Sequence, residues 1–193
     1  MLNDIKNDLT AALDLNQDSA LLDQLVAGES RYIKDLKLNF KTALQVDPDQ
    51  DGLNQKESHL IGLAIAANNK NQSLVKYFTE KSRELEASEG EIAESVACAS
   101  LLSANNILYR FRHFVESDNY QNIPARIRMN IMAKPVLGKE LFELISLAVS
   151  AVNGCEACVK SHEQSVKNLG SGEKRIFSAI RIASVVTSMD KLL

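Results

Sequence analysis

Apolar residues recur at intervals of three and four along almost the whole chain, and this periodicity limits the possible folds more than any other feature. The interval matches one face of a helix with 3.6 residues per turn. No segment shows the strict alternation of a half-buried strand, and only three prolines and eight glycines interrupt the pattern. The sequence therefore predicts an all-α fold in a single domain covering residues 1–193.

Two breaks with turn-forming or polar residues divide this periodic pattern, one at 47–52 and one at 118–124. Ser88 is followed by Glu91 three residues later, the spacing of a capping box that starts a helix. After the first break the pattern predicts helices at about 54–68, 72–84, 88–115, 139–152, 156–169 and 172–192. A short helix is also predicted at 126–133.

An internal repeat appears when the chain is shifted by 84 residues, which places Leu60 over Leu144. Roughly thirteen identities then fall within roughly forty positions without a gap. We interpret them as two related helical repeats, about residues 54–105 and about residues 138–190; chance similarity between amphipathic hairpins is the alternative. The first copy is degenerate, because it has no counterpart to four reactive side chains of the second. Cys155, Cys158, His162 and Glu143 align with Asn71, Leu74, Phe78 and His59.

Charge and hydropathy exclude several classes of function. The 22 basic and 25 acidic residues give a net charge of −3, which does not favour nucleic-acid binding. No stretch approaches the ~18 apolar residues of a membrane span, and the acidic N-terminus does not resemble a signal peptide. We therefore expect a cytoplasmic protein, in which a disulfide among the three cysteines serves chemistry rather than structure.

The pair Cys155 and Cys158 is the most informative local motif. A Cys-x-x-Cys places two sulfurs one helical turn apart, close enough to bond when the first lies at the helix start. Gly154 permits a tight turn before the pair, and the helix N-terminus favours the thiolate form of the first cysteine. His162 follows Cys158 by four residues on the same face, where an imidazole can accept the thiol proton.

The preceding helix carries a polar stripe on an otherwise apolar surface. It consists of Glu143, Ser146, Ser150 and Asn153, and we expect it to face the cysteines and His162. In an antiparallel hairpin Glu143 lies about 15 Å and His162 about 10 Å from the turn, at ~1.5 Å per residue. The two can therefore meet directly or through one water. The hypothesis is a proton relay from Glu143 through His162 to Cys158.

Zinc binding by Cys155, Cys158, His162 and Glu143 is the main alternative for this site. The other reactive side chains are predicted to be structural. Cys98 is expected in the core without polar neighbours, His59 is expected to be structural, and His113 is expected at the surface or an interface. The arginines at 110, 112, 126 and 128 are predicted to form a solvated or subunit-contacting face, with steering of an acidic partner as the alternative.

The sequence resembles the alkyl hydroperoxidase D (AhpD) family of the carboxymuconolactone-decarboxylase-like superfamily over nearly its whole length. This resemblance rests on motifs distributed from residue 35 to residue 163. They are Asp-Leu-Lys-Leu-Asn at 35–39, Asn-Asn-x-x-Tyr-Arg-x-Arg-x-Phe at 105–114, Arg-Met-Asn-Ile at 128–131 with Pro135, Glu143, and Ala-Val-Ser-Ala-Val-Asn-Gly-Cys-x-x-Cys-x-x-x-His-Glu at 148–163.

The resemblance implies an all-helical homotrimer with antioxidant activity and catalytic residues Glu143, Cys155, Cys158 and His162. It implies disulfide exchange at the cysteine pair, with no bound cofactor and with dihydrolipoamide as reductant. The implied partners are a peroxiredoxin (the alkyl hydroperoxide reductase C subunit), a lipoylated dihydrolipoamide acyltransferase and dihydrolipoamide dehydrogenase. Some members of the family carry a histidine before the second cysteine, where this chain has Ala157, so direct peroxidase activity is less strongly implied than disulfide exchange.

We expect Cys158 to attack the oxidised partner or a peroxide, and Cys155 to resolve the product. The helix N-terminus favours Cys155 by about 0.3–1 kcal/mol. The neighbouring His162 favours Cys158 by about 1.5–3 kcal/mol, the usual range for a charge-assisted contact. A decarboxylase-like lyase and a zinc-binding interaction module are the alternative functions.

Overall fold

A computed structural model describes residues 1–13, 19–45 and 52–193, and this part of the chain contains helices and no strands. The helices are α1 (Leu2–Ala12), α2 (Ala20–Ala27), α3 (Tyr32–Ala43), α4 (Gln55–Asn69), α5 (Gln72–Glu84), α6 (Glu89–Val115), α7 (Asp118–Gln121), α8 (Lys139–Val152), α9 (Glu156–Asn168) and α10 (Glu173–Asp190). The predicted all-α class is confirmed. No helix among the described residues is both long and apolar enough to cross a membrane.

The helix starts follow from local capping. Ser88 accepts a hydrogen bond from the Glu91 amide while the Glu91 side chain bonds the Ser88 amide, which confirms the predicted capping box of α6. A second capping box, Asn54 with Glu57, starts α4. The break predicted at 47–52 falls mostly on residues 46–51, which lie outside the described residues.

The helix predicted at 126–133 is wrong, because only a single 3₁₀ turn, Asn130–Met132, forms there. Arg126 has a φ of +52°, a left-handed backbone conformation that interrupts a right-handed helix. The break predicted at 118–124 contains the four-residue helix α7. Both differences lie in the connection between α6 and α8, where helical propensity competes with local turns.

Helices α4 and α8 lie at the centre of the core and contact each other. Residues 58–66 of α4 are buried without interruption, and α8 is buried from residue 141 to 150 except at Glu143. Helices α5, α6 and α10 cover α4, while α6, α9 and α10 cover α8. At Gly62 an added Cβ would lie 2.4 Å from the Phe78 ring, so the close approach of α5 to α4 requires glycine.

The helix bounds repeat at the interval seen in the sequence. Helix α5 spans 72–84 and α9 spans 156–168, while α6 begins at 89 and α10 at 173. Both pairs differ by 84 positions. Common ancestry of the two halves stays a prediction, but corresponding helices occupy corresponding positions along the chain.

Arg175 of α10 connects the two central helices through a half-buried ion network. Its Nε and Nη2 donate to Glu140 of α8, its Nη1 and Nη2 donate to Glu57 of α4, and Nη1 also bonds the Gly52 carbonyl. All five N–H donors of the guanidinium are thereby used, at distances of 2.7 to 3.1 Å. The network fixes α10 against the starts of α4 and α8.

Candidate active site

A tight turn between α8 and α9 presents the cysteine pair. Helix α8 ends at Val152 with Asn153 as its C-cap residue, Gly154 follows with a φ of +67°, and Cys155 is the N-cap residue of α9. Glycine adopts a left-handed backbone conformation at little energetic cost. At Gly154 this conformation reverses the direction of the chain within two residues. Cys155 occupies the position at which Asn71 caps α5 with its side chain.

The sulfurs of Cys155 and Cys158 lie at bonding distance, with the Cα atoms 5.3 Å apart. This Cα separation lies within the range that a disulfide requires, so the two cysteines meet the geometric requirement for a bond between them. Cys155 is fully buried, whereas Cys158 is 7 % exposed and lines a cavity. Cys158 is therefore the sulfur that a reagent in this cavity can reach.

Glu143 and His162 meet directly, which is one of the two arrangements that the spacing along the two helices predicted. Glu143 Oε2 lies 2.7 Å from His162 Nδ1, with the side chains 19 % and 12 % exposed. Because the carboxylate accepts from Nδ1, the neutral imidazole has Nε2 as its remaining acceptor. His162 lines the same cavity as Cys158, which places a proton acceptor beside the reachable sulfur.

The cavity beside Cys158 has a volume of about 240 Å³ and is mostly apolar. Helix α6 forms one wall, the 129–132 segment a second and α9 a third. The lining residues are Leu102, Asn105, Asn106, Tyr109, Met129, Met132, Ala157, Cys158, Ser161 and His162. The α6 and 129–132 residues were not identified as site residues from the sequence, although several belong to the motifs that carry the family resemblance.

The polar stripe of α8 is divided between three neighbours, contrary to the expectation that all of it faces α9. Ser146 Oγ lies 3.4 Å from the Cys98 sulfur, and Ser150 accepts from the Asn106 side chain at 3.0 Å. The Asn153 side chain bonds Asn68 and Asn106. Only Glu143 meets α9, because a straight helix rotates the later members of the stripe toward α6 and α4.

Cys98 is buried in the core, as predicted, but it has a polar neighbour in Ser146. Burial raises the pKa of the Cys98 thiol to about 12. The thiol is therefore protonated at neutral pH and does not compete with the pair on α9 as a nucleophile.

The two other histidines and the four arginines have different environments. His59 is buried against the Phe78 ring, its Nδ1 is 2.7 Å from the Gln55 carbonyl, and burial lowers its pKa. His113 is at the surface, 3.5 Å from Glu156. The four arginines do not form one face, because Arg112 covers the Tyr109 ring while Arg110 turns toward the α8–α9 turn.

Within the described ranges, no three His, Cys, Asp or Glu side chains are grouped in a way that could hold a metal ion. The carboxylate of Glu143 contacts His162, and the two sulfurs contact each other. The four side chains therefore do not form the ligand set that the zinc alternative requires.

Comparison with known proteins gives consistent results. The carboxymuconolactone decarboxylase family model matches residues 118–193. A solved structure described as a gamma-carboxymuconolactone decarboxylase subunit from Burkholderia xenovorans LB400 superposes with a TM-score of 0.66 at 14 % identity, covering 98 % of this chain and 92 % of that one. At this identity the superposition establishes the fold alone. The chain therefore has the fold of this carboxymuconolactone decarboxylase subunit.

Two relatives at higher sequence identity show the family of this chain. One is the alkyl hydroperoxide reductase AhpD of Coxiella burnetii RSA 493, 40 % identical over 82 % of this chain and 88 % of the relative. The other is the alkyl hydroperoxide reductase AhpD of Anaeromyxobacter dehalogenans 2CP-C, 40 % identical over 86 % of this chain and 87 % of the relative. The chain belongs to the AhpD family.

Proposed function

We propose that this protein is an antioxidant thiol–disulfide oxidoreductase that passes electrons from dihydrolipoyl groups to a peroxiredoxin and reduces alkyl hydroperoxides. The observation that carries the proposal is a sulfur pair at bonding distance whose reachable member, Cys158, shares a cavity with the His162–Glu143 pair. Family membership supports the antioxidant role. A homotrimeric state and a cytoplasmic location belong to the same proposal and rest on family membership.

In the proposed reductive half, a dihydrolipoyl dithiol opens the Cys155–Cys158 bond. A thiolate of the dithiol attacks one sulfur, and its second thiol then closes the lipoyl disulfide. Two electrons and two protons reach the cysteine pair. In this proposal His162 holds the Cys158 proton, and its contact with Glu143, which orients the imidazole, supports that role.

In the proposed oxidative half, the Cys158 thiolate attacks a disulfide sulfur of the peroxiredoxin, and Cys155 then displaces the partner as its dithiol. With a hydroperoxide, attack on the terminal oxygen breaks the O–O bond and gives an alcohol and a Cys158 sulfenic acid. Cys155 condenses with the sulfenic acid, releases water and restores the disulfide.

A reconstituted assay with NADH, dihydrolipoamide dehydrogenase, lipoamide, an AhpC-type peroxiredoxin and an alkyl hydroperoxide tests this function. We expect NADH consumption that depends on the protein and is lost in Cys158→Ser. The Cys98→Ser variant is the matched control and should remain active, because that thiol is buried and protonated. Omitting the peroxiredoxin separates direct peroxide reduction from electron donation. NADH consumption unaffected by Cys158→Ser would contradict the proposal, and a lyase activity that survives the same substitution would favour the decarboxylase-like alternative.

His162→Phe, which introduces the residue found at the equivalent position of the first repeat, should slow the reaction of Cys158. We expect iodoacetamide to alkylate the reduced variant about 100-fold more slowly at pH 7, the lower range for loss of a positioned general base. Glu143→Gln should have a smaller effect, since an amide still bonds Nδ1 without the charge. His113→Phe is the control, because its imidazole contacts Glu156 at the surface and does not line the cavity that contains Cys158. Equal alkylation rates in wild type and His162→Phe would remove His162 from the mechanism.

A further inference from the structure

A second cavity, of about 220 Å³, lies beside the α8–α9 turn. Its lining is polar except for one isoleucine. The lining residues are Asn68, Ser103, Asn106, Ile107, Arg110 and Asn153. Asn106 lines this cavity as well as the one that contains Cys158, so the two cavities are neighbours across α6.

The amide side chains of this cavity are mostly bonded to each other. Asn153 and Asn68 exchange a reciprocal pair of hydrogen bonds of 3.0 and 3.2 Å, and Asn153 Nδ2 also donates to Asn106 at 2.9 Å. Asn68 uses its second N–H on Asn69, and Ser103 donates within the same group. These groups form a fixed polar wall and have few donors left for a ligand.

Arg110 is the exception in this wall. Its Nη1 donates to the Asn153 carbonyl, and the structure gives no other hydrogen bond or ion pair to this half-buried guanidinium within the described part of the chain. The Arg175 guanidinium, by contrast, donates all five of its N–H groups in hydrogen bonds to two carboxylates and a carbonyl. Arg110 therefore presents an uncompensated positive charge and several free donors next to a cavity.

We propose that this cavity is an anion subsite in which Arg110 binds a carboxylate of the substrate or of a protein partner. A guanidinium presents parallel N–H donors that match the two oxygens of a carboxylate, and the bond to Asn153 holds this guanidinium in place. Arg110 is the one cationic side chain among the lining residues of this cavity. Its single positive charge matches one carboxylate better than a phosphate dianion. A carboxylate bound here lies beside the turn that carries Cys155, and the neighbouring cavity, which shares Asn106 with this one, contains Cys158.

Titration of the oxidised protein with sodium acetate, against sodium chloride at equal ionic strength, tests the subsite without any redox step. We expect saturable shifts of the Gly154 amide and Arg110 Nε–H resonances in wild type. Arg110→Met should weaken acetate binding at least tenfold. Arg126→Met, which removes the same charge from an exposed position without a bonded partner in the described chain, should bind acetate as wild type does. Arg110→Lys should give intermediate binding, since it keeps the charge without the paired donors.

Two dithiols then distinguish the sources of the carboxylate. If the substrate supplies it, dihydrolipoate should reduce the Cys155–Cys158 bond faster than neutral dihydrolipoamide, and Arg110→Met should remove the difference. If a protein partner supplies it, the two dithiols should react alike in both proteins while acetate still binds at Arg110.

The proposal is overturned if acetate shifts no resonance at the turn in wild type, or if Arg110→Met and wild type bind acetate equally. Because acetate binding does not depend on disulfide exchange, this result stands apart from success or failure of the reconstituted assay.

Discussion

Cys155→Ser should trap a covalent adduct on Cys158 when the reduced protein meets an aromatic disulfide reagent. The Cys158 thiolate attacks one sulfur of the reagent and releases the other as a thiolate, and no second cysteine on α9 remains to resolve the mixed disulfide. Serine is itself a favourable N-cap residue, so the start of α9 should form normally. We expect about one adduct per chain, with mass mapping placing it on Cys158.

The reciprocal variant, Cys158→Ser, tests the same assignment of the attacking cysteine. In Cys158→Ser the remaining sulfur of the pair is fully buried and lies at the helix N-terminus. A helix N-terminus stabilises a thiolate less than the neighbouring imidazole does. Cys155 should therefore react roughly tenfold more slowly than Cys158. Cys98→Ser serves as control and should behave as wild type. Adducts on Cys155 in preference to Cys158 would reverse the assigned roles.

Arg175→Met should cause the largest loss of stability among the substitutions considered. It leaves Glu57 and Glu140 close together without a cation, and breaking a buried ion pair in this way typically costs about 3–5 kcal/mol. We expect about 3 kcal/mol, since the Glu140 side chain remains 30 % exposed. This corresponds to a decrease in Tm of roughly 6–12 °C for a chain of this size. Urea unfolding and calorimetry measure it.

The same substitution should change the acid sensitivity of the protein. Burial raises the pKa of Glu140, but hydrogen bonds from Arg175 and Ser171 lower it by more, so it lies below its ordinary value. A carboxyl group with a lowered folded-state pKa stabilises the fold above its unfolded-state pKa, and this contribution disappears as pH falls through the folded-state pKa. Without Arg175, acid unfolding should therefore begin at a higher pH.

Arg181→Met is the control for both measurements, because it removes the same charge from an exposed position on the same helix. We expect it to change the free energy of unfolding by less than about 1 kcal/mol. If Arg175→Met proved as stable as Arg181→Met at neutral pH, the network would make no net contribution to the fold.

The sequence predicted correctly those helices whose apolar periodicity and capping residues indicate the same bounds. Helices α5 and α8 end where the pattern predicted, and the Ser88–Glu91 capping box starts α6 as expected. The 126–133 segment was predicted wrongly: only Asn130–Met132 form a helical turn there, and residue identity does not specify the left-handed backbone at Arg126, where the predicted helix was to begin.

In the candidate site, spacing alone predicted that Glu143 and His162 lie close together, since they lie at similar distances from the turn of an antiparallel hairpin; it left open whether they meet directly, as they do, or through a water. The cavity wall did not follow in the same way. Asn105, Tyr109 and Met129 reach the site through the packing of α6 and the following segment on α9, which are contacts between positions distant in sequence. The division of the α8 stripe among three neighbours depends on that packing as well.

The sulfur of Cys155 occupies the place that the side-chain oxygen of Asn71 takes in the first repeat, where it caps α5. With its sulfur joined to Cys158, Cys155 makes no such bond to the first turn of α9. Reduction frees that sulfur as a potential acceptor for the uncapped amides of α9. Under the proposed function, electron transfer and the capping of the α9 N-terminus therefore depend on the same sulfur atom.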